Sequence, residues 1–183
     1  MVSFKNIQNK TLWICISAIF MGLNILMSAK GITVPGGHLY LNDAVICTAA
    51  LLLDPVAAAI VGGLGAFLGD FFFYPKAMFV SLVVHGVQAA VISIIAHRTF
   101  KNKQAIAGAI GVFVGAVIMV VGYTFGRAFV YSTMAESIVK LPFQILQASV
   151  GAVAGWVIVF PVKLGKVFRN HVPVYKRKNS AQK

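Results

Sequence analysis

The sequence predicts an all-α membrane protein: a compact bundle of six transmembrane helices with both termini cytoplasmic. Three observations carry that expectation. Hydrophobic residues make up 59% of the 183 residues, and Asp, Glu, Lys and Arg together only 11%, against roughly 45–50% and about 25% in soluble domains. Mean hydropathy is +0.87, which leaves too little charged surface for a soluble fold of this size. The charges fall mostly between or beyond the apolar runs, as membrane topology requires. One span takes about 20 apolar residues, so six spans with short loops consume the chain. The reading is therefore one integral-membrane domain over 1–183.

Each span has a boundary signal. Span one, about 11–29, follows Lys5 and Lys10, and no small-residue cleavage site precedes Lys30, so it reads as a span and not as a cleaved leader. The stretch 30–42 holds Pro35, Gly36 and Gly37 and reads as a loop. Span two, about 43–53, is short because Asp54-Pro55 interrupts it, and proline disfavours helix at the residue before it. Span three, about 55–73, is dense in Gly and Ala and ends at Tyr74-Pro75-Lys76. Span four covers about 77–96, a basic loop follows, and span five covers about 104–130. The segment 132–140 is polar and carries the only glutamate, Glu136. Span six, about 141–162, begins near Pro142, since proline is tolerated in a first helical turn. A basic tail closes the chain.

Charge sets the orientation. With the N-terminus inside, Lys30, Lys76, Arg127 and Lys140 lie outside and the other Lys and Arg residues, three times as many, lie inside. The positive-inside rule favours that threading. The net charge of +12 is then a topology signal, and nucleic acid is not an expected partner. Cys15 and Cys47 sit alone in apolar runs and read as small hydrophobes.

Polar residues in lipid are costly and tend to mark function. Here they concentrate in the outer half of several spans. Asn42 and Asp43 open span two, and Asp70 closes span three. Ser81, His85 and Gln88 share one face of span four at i, i+4, i+7. Tyr123 and Arg127 pair at i, i+4 on span five, and Gln144 and Gln147 at i, i+3 on span six. With His38 and Tyr40 from the first loop, they make a candidate pocket open to the outside. Each residue also has a plainer reading. Asp43 with Asn42 can cap a helix, Asp70 can pair with Lys76 or Arg127, and His85 can bond a core carbonyl. Arg127 can snorkel, and the two glutamines can join helices.

Small residues four apart, as in Gly111/Gly115, Gly122/Gly126 and Gly151/Gly155, read as close helix packing. Ala18 and Gly22 on span one read either so or as a surface for a partner protein. The chain has no phosphate-binding GxxxxGK[ST] loop, no HExxH or GxSxG, no metal-ligand cluster and no evident inverted repeat. A pocket with no energy source of its own implies a binding subunit driven by partners.

The stretch Ala18-Ile-Phe-Met-Gly22-Leu23, the segment Tyr40-Leu-Asn-Asp-Ala-Val-Ile46 leading to Leu51-Leu-Leu-Asp-Pro55-Val-Ala-Ala-Ala59, and Gly62-Gly-Leu-Gly65 to Gly69-Asp70 before a Tyr-Pro break together resemble a known family. The chain resembles, over its whole length, the substrate-binding S components of energy-coupling factor (ECF) vitamin transporters, and within them the pyridoxine and hydroxymethylpyrimidine branch. The resemblance implies capture of a vitamin from outside, then docking on a transmembrane coupling subunit with two ATPase subunits, then toppling in a bacterial plasma membrane. ATP would be bound by the partners, and no cofactor or metal by this chain. Family members often carry AxxxA on span one for docking; Gly22 replaces the second alanine and the spacing is kept. Loop 30–42 and the outer loops after spans three and five would be lids. The pocket chemistry, with Tyr40, Phe71, Phe72 and Tyr74 able to stack on a flat ring, suits a small, neutral, hydroxylated heteroaromatic such as pyridoxine or hydroxymethylpyrimidine. Pantothenate would want more positive charge than Arg127 and Lys76 supply, and riboflavin a larger pocket. A membrane scaffold, or an intramembrane enzyme using His85 and Asp70, are the readings from other classes.

Overall fold

A computed structural model describes residues 10–35, 37–99 and 103–171. The chain forms α1 (Lys10–Ser28), strands β1 (Ile32–Val34) and β2 (Gly37–Leu39), and α2 (Asn42–Leu52). It continues through α3 (Pro55–Phe73), α4 (Pro75–Arg98), α5 (Gln104–Tyr131), α6 (Met134–Val159) and the short α7 (Leu164–His171). Among the described residues five helices, α1 and α3 to α6, are long and apolar enough to cross a membrane. The protein is thus an all-α membrane protein in its main architecture.

The expected short second span is α2, Asn42–Leu52. Its 11 residues rise only about 16 Å at 1.5 Å each, about half of a ~30 Å hydrocarbon core. Ile46, Cys47, Ala49, Ala50 and Leu52 of α2 are almost inaccessible. The helix is a buried central plug, packed on α1, α4 and α6. Asp54-Pro55 stops it as expected: the Asp54 carboxylate caps α3 by accepting from the Val56 and Ala57 amides, with Pro55 in the first turn. The same carboxylate accepts from Trp13 Nε1 at 2.6 Å, tying α1 to this corner.

The loop expected over 30–42 contains an antiparallel hairpin pairing Ile32 with Leu39 and Val34 with Gly37. The polar segment expected over 132–140 is helical instead, so α6 starts at Met134 and Pro142 lies inside it. The reason is local. Thr133 Oγ1 accepts from the Glu136 amide at 3.3 Å, and Thr-x-x-Glu is capping-box spacing. At the other end, part of the basic tail forms α7, whose Leu164 and Phe168 pack on the apolar core.

Two close approaches position the site. A Cβ on Gly62 would lie 2.6 Å from the His85 carbonyl oxygen, so α3 crosses α4 backbone to backbone. A Cβ on Gly151 would press into Asp43 and stand 3.0 Å from its carbonyl carbon, so α6 lies flush on α2. Near the first crossing a π-helical turn over Ile60–Leu64 loosens α3, and Asn24 Nδ2 on α1 donates to the Val61 carbonyl at 2.9 Å. Such satisfaction of loosened backbone is what lipid-embedded helices require.

Candidate functional site

Most of the buried polar residues gather at the hairpin end of the bundle. Asp43 is the hub. Its Oδ2 accepts from Gln147 Nε2 at 2.7 Å and its Oδ1 from Gln88 Nε2 at 3.3 Å. His85 Nδ1 donates to Gln88 Oε1 at 2.7 Å and stands 3.8 Å from Asp43 Oδ1. Gln147 Oε1 in turn accepts from the Tyr40 amide at 3.0 Å. One carboxylate therefore couples α2, α4 and α6 to the segment after the hairpin. A carboxyl group this deep is tolerable only with such hydrogen-bond partners. Helix capping, the plainer reading of Asp43, does not apply: no side chain caps α2.

A second network joins α3, α4 and α5. Ser81 Oγ donates to the Asp70 carboxylate and lies 2.5 Å from the Tyr123 hydroxyl. The Tyr123 ring stands 5.2 Å from the His85 ring. Asp70 therefore meets Ser81 and not Lys76, which is exposed. A third set anchors α6: Gln144 Nε2 donates to the Val120 carbonyl at 2.8 Å, and Lys140 Nζ to the His38 carbonyl. The Arg127 guanidinium sits 5.3 Å over the Tyr131 ring, a cation–π arrangement.

These networks surround a cavity of about 40 Å³ beneath the hairpin. Of the residues expected from the sequence, His38, Tyr40, Asn42, Asp70 and His85 line it, as do Tyr123, Arg127, Gln144 and Gln147. Asp43, Ser81 and Gln88 do not line it; they hold Gln147, Asp70 and His85 in place from behind. Phe71 and Phe72 are exposed on the outer surface, away from the cavity lining, whereas Tyr74 contributes to it. Two further polar lining residues escape sequence reasoning, Tyr131 and Lys140, as do the apolar Ala77 and Met119. Tyr131 continues the Tyr123/Arg127 stripe by one turn, and Lys140 precedes Gln144 by one turn. Both come within reach of helical periodicity once the two helices are extended to their true ends.

Among the described residues, three buried polar atoms in this region have no protein partner: His38 Nδ1, Asn42 Oδ1 and the Tyr131 hydroxyl. Native proteins rarely leave such atoms unsatisfied. The pKa of the Tyr40 phenol is pushed up to about 12, first by burial and then by the charge of Asp70. Among the described residues no group of three or more His, Cys, Asp or Glu could hold a metal ion. Ala18 is exposed, and a Cβ on Gly22 would meet nothing within 4 Å, so both face away from the bundle.

An apolar helical bundle with a polar cavity at one end is the class of membrane protein that these observations define. The family model for the ECF-type riboflavin transporter S component matches residues 8–164, and the chain belongs to that family. It is thus a multi-pass transporter component with a vitamin-binding role, works with an energy-coupling module, and comes from a family of transporters and not of enzymes. A comparison with curated proteins gave no match.

Proposed function

We propose that this S component captures a small hydroxylated heteroaromatic vitamin of the pyridoxine group in the cavity beneath the hairpin. The observation that carries the reading is the cluster of unpartnered polar atoms, His38 Nδ1, Asn42 Oδ1 and the Tyr131 hydroxyl, beside one cavity. Four tyrosines, Tyr40, Tyr74, Tyr123 and Tyr131, offer ring faces and hydroxyls. Asp70 is placed to accept from a ring nitrogen that carries a proton, while Asn42 and Gln144 suit hydroxyl and hydroxymethyl groups. Hydroxymethylpyrimidine shares this chemistry. Riboflavin is the second reading, because the matching family is described by it. The lining favours the smaller ligand: apart from Ala77 and Met119 it is aromatic-polar or polar throughout, and a flavin brings a wide apolar ring edge. Pantothenate gains from Lys140, which joins Arg127 in the lining, but Asp70 opposes an anion there.

In this reading the hairpin end faces outside and both termini lie in the cytoplasm of a bacterial cell. The hairpin is the lid, since a cavity of about 40 Å³ admits a vitamin only when it lifts. Ala18 and Gly22 supply the face that docks on a coupling subunit served by two ATPases.

The test is isothermal titration of the ligand-stripped protein in detergent against pyridoxine, hydroxymethylpyrimidine, pantothenate and riboflavin. Tight one-to-one binding of pyridoxine, lost in His85→Ala and Gln147→Ala, is the expected result. Binding of riboflavin alone would replace the substrate, and no binding of any of the four by folded protein would overturn the pyridoxine reading. Docking has its own test: Ala18→Trp with Gly22→Trp should leave binding intact and abolish uptake by the assembled transporter. Undiminished uptake would remove those residues from the interface.

A further inference from the structure

The end of the bundle opposite the hairpin holds a second, larger cavity of about 230 Å³. It shares no residue with the cavity beneath the hairpin. Lys163, Lys166, His97 and Gln104 line it over an apolar floor that includes Phe160. No acidic residue lines it, and neither lysine has an acidic partner among the described residues. The Asp54 carboxylate, at the same end of the bundle, is occupied by Trp13 and the start of α3.

The backbone is shaped to bring the lysines here. Lys163 has φ of 65°, a left-handed conformation uncommon for a residue other than glycine. That turn folds α7 back under the bundle, where Gly165 sits so close that a Cβ would meet the Val159 carbonyl at 3.1 Å. Leu164 and Phe168 pack inward, while Lys166 and Val167 are exposed. Lys166 and Val167 thus stand at the surface of this end, facing away from the core.

Directly beyond the cavity, an apolar groove of about 680 Å³ runs between α5 and α6. Trp156 lines the groove and Phe160 the cavity, and their rings are 5.8 Å apart. Trp156 is held there by its Nε1 donating to the Ala105 carbonyl at 2.9 Å. A cationic mouth continuous with an apolar furrow suits an amphiphile with an anionic headgroup and an acyl tail. Basic pockets between transmembrane helices are recognised headgroup sites in general.

We propose that this end of the protein binds an anionic phospholipid, its phosphate between Lys163 and Lys166 and an acyl chain in the α5–α6 groove.

Native mass spectrometry and thermal unfolding of the delipidated full chain in detergent test this. The probes are phosphatidylglycerol, phosphatidylcholine and inorganic phosphate. Phosphatidylglycerol should be retained at one per protein and raise Tm, while the other two should not. Lys163→Gln with Lys166→Gln should weaken retention by about thirtyfold, from two basic contacts near the surface, and leave vitamin binding unchanged. Lys163→Gly with Lys166→Gln guards against misfolding, because glycine accepts the left-handed backbone without strain. Ala109→Phe, which fills part of the groove, should weaken retention with both lysines present. Equal effects of phosphatidylcholine would overturn the charge recognition, and equal effects of phosphate would make this a soluble-anion site. Undiminished retention in the lysine variants would remove the site altogether.

Discussion

The hairpin end and the middle of the bundle are built from the same helices and are buried to the same degree, yet they hold together differently. On α2, Asp43 is followed one turn later by Ile46 and Cys47; on α4, Ser81, His85 and Gln88 are followed by Ala89, Ile92 and Ala96. Each of these residues is buried. In lipid the apolar layer gains little from leaving its surroundings, because acyl chains are as apolar as leucine, so close packing is what it contributes. The polar layer has no water to fall back on, so every donor must find an acceptor within the protein. The middle therefore tolerates loss of a contact; the hairpin end tolerates it poorly, and among the described residues His38 Nδ1, Asn42 Oδ1 and the Tyr131 hydroxyl, left without a protein partner, stand beside the cavity.

Substitutions can break this contrast. Gly151→Leu, which drives a side chain into Asp43 and the α2 backbone, should remove both layers at once and yield no folded protein by size-exclusion chromatography. Asp43→Ala should cost about 3 kcal/mol or more by leaving the Gln88 and Gln147 amides without their acceptor, and should abolish ligand binding in calorimetry. Ile92→Ala should cost about 2 kcal/mol in thermal unfolding, the low end for such truncations because only packing is lost, with the dissociation constant unchanged. A binding defect in Ile92→Ala as large as that of Asp43→Ala would erase the distinction between the layers. The smallest expected effect is that of pH on Tyr40. Its pKa is raised to about 12 from an ordinary 10.0, so its contribution to stability is complete below about pH 10 and lost as pH climbs through 12. A Tyr40→Phe variant should accordingly show a flatter stability profile than the native chain between those values.

Several elements are legible from local rules alone: the end of α2 at Asp54-Pro55, the Tyr74-Pro75 break, and the helical face of Ser81, His85 and Gln88. Others carry a local signal that the hydropathy pattern hides. Thr133 and Glu136 have capping-box spacing, which starts α6 early enough to bring Lys140 onto the face of Gln144. Ile32, Thr33 and Val34 are all β-branched, and they pair as a strand despite the turn residues that follow. What periodicity cannot supply is depth. It places Asp43, Ser81 and Gln88 on the right faces, but that they stand behind the cavity while His85 and Gln147 reach it depends on how close α2, α3, α4 and α6 approach.

By itself the sequence determined the solvent, the approximate helices and the side of each helix on which polar residues lie. These follow from transfer energies and from the 3.6-residue period, both properties of short stretches of chain. Only the tertiary structure decided that the short helix over 42–52 is buried at the centre of the bundle, that one carboxylate serves three helices, and that Lys163 and Lys166 line one cavity with His97 at the far end. Those outcomes depend on interhelical distances set by glycines such as Gly62 and Gly151, where the absent side chain matters only once a partner helix is there to fill its place.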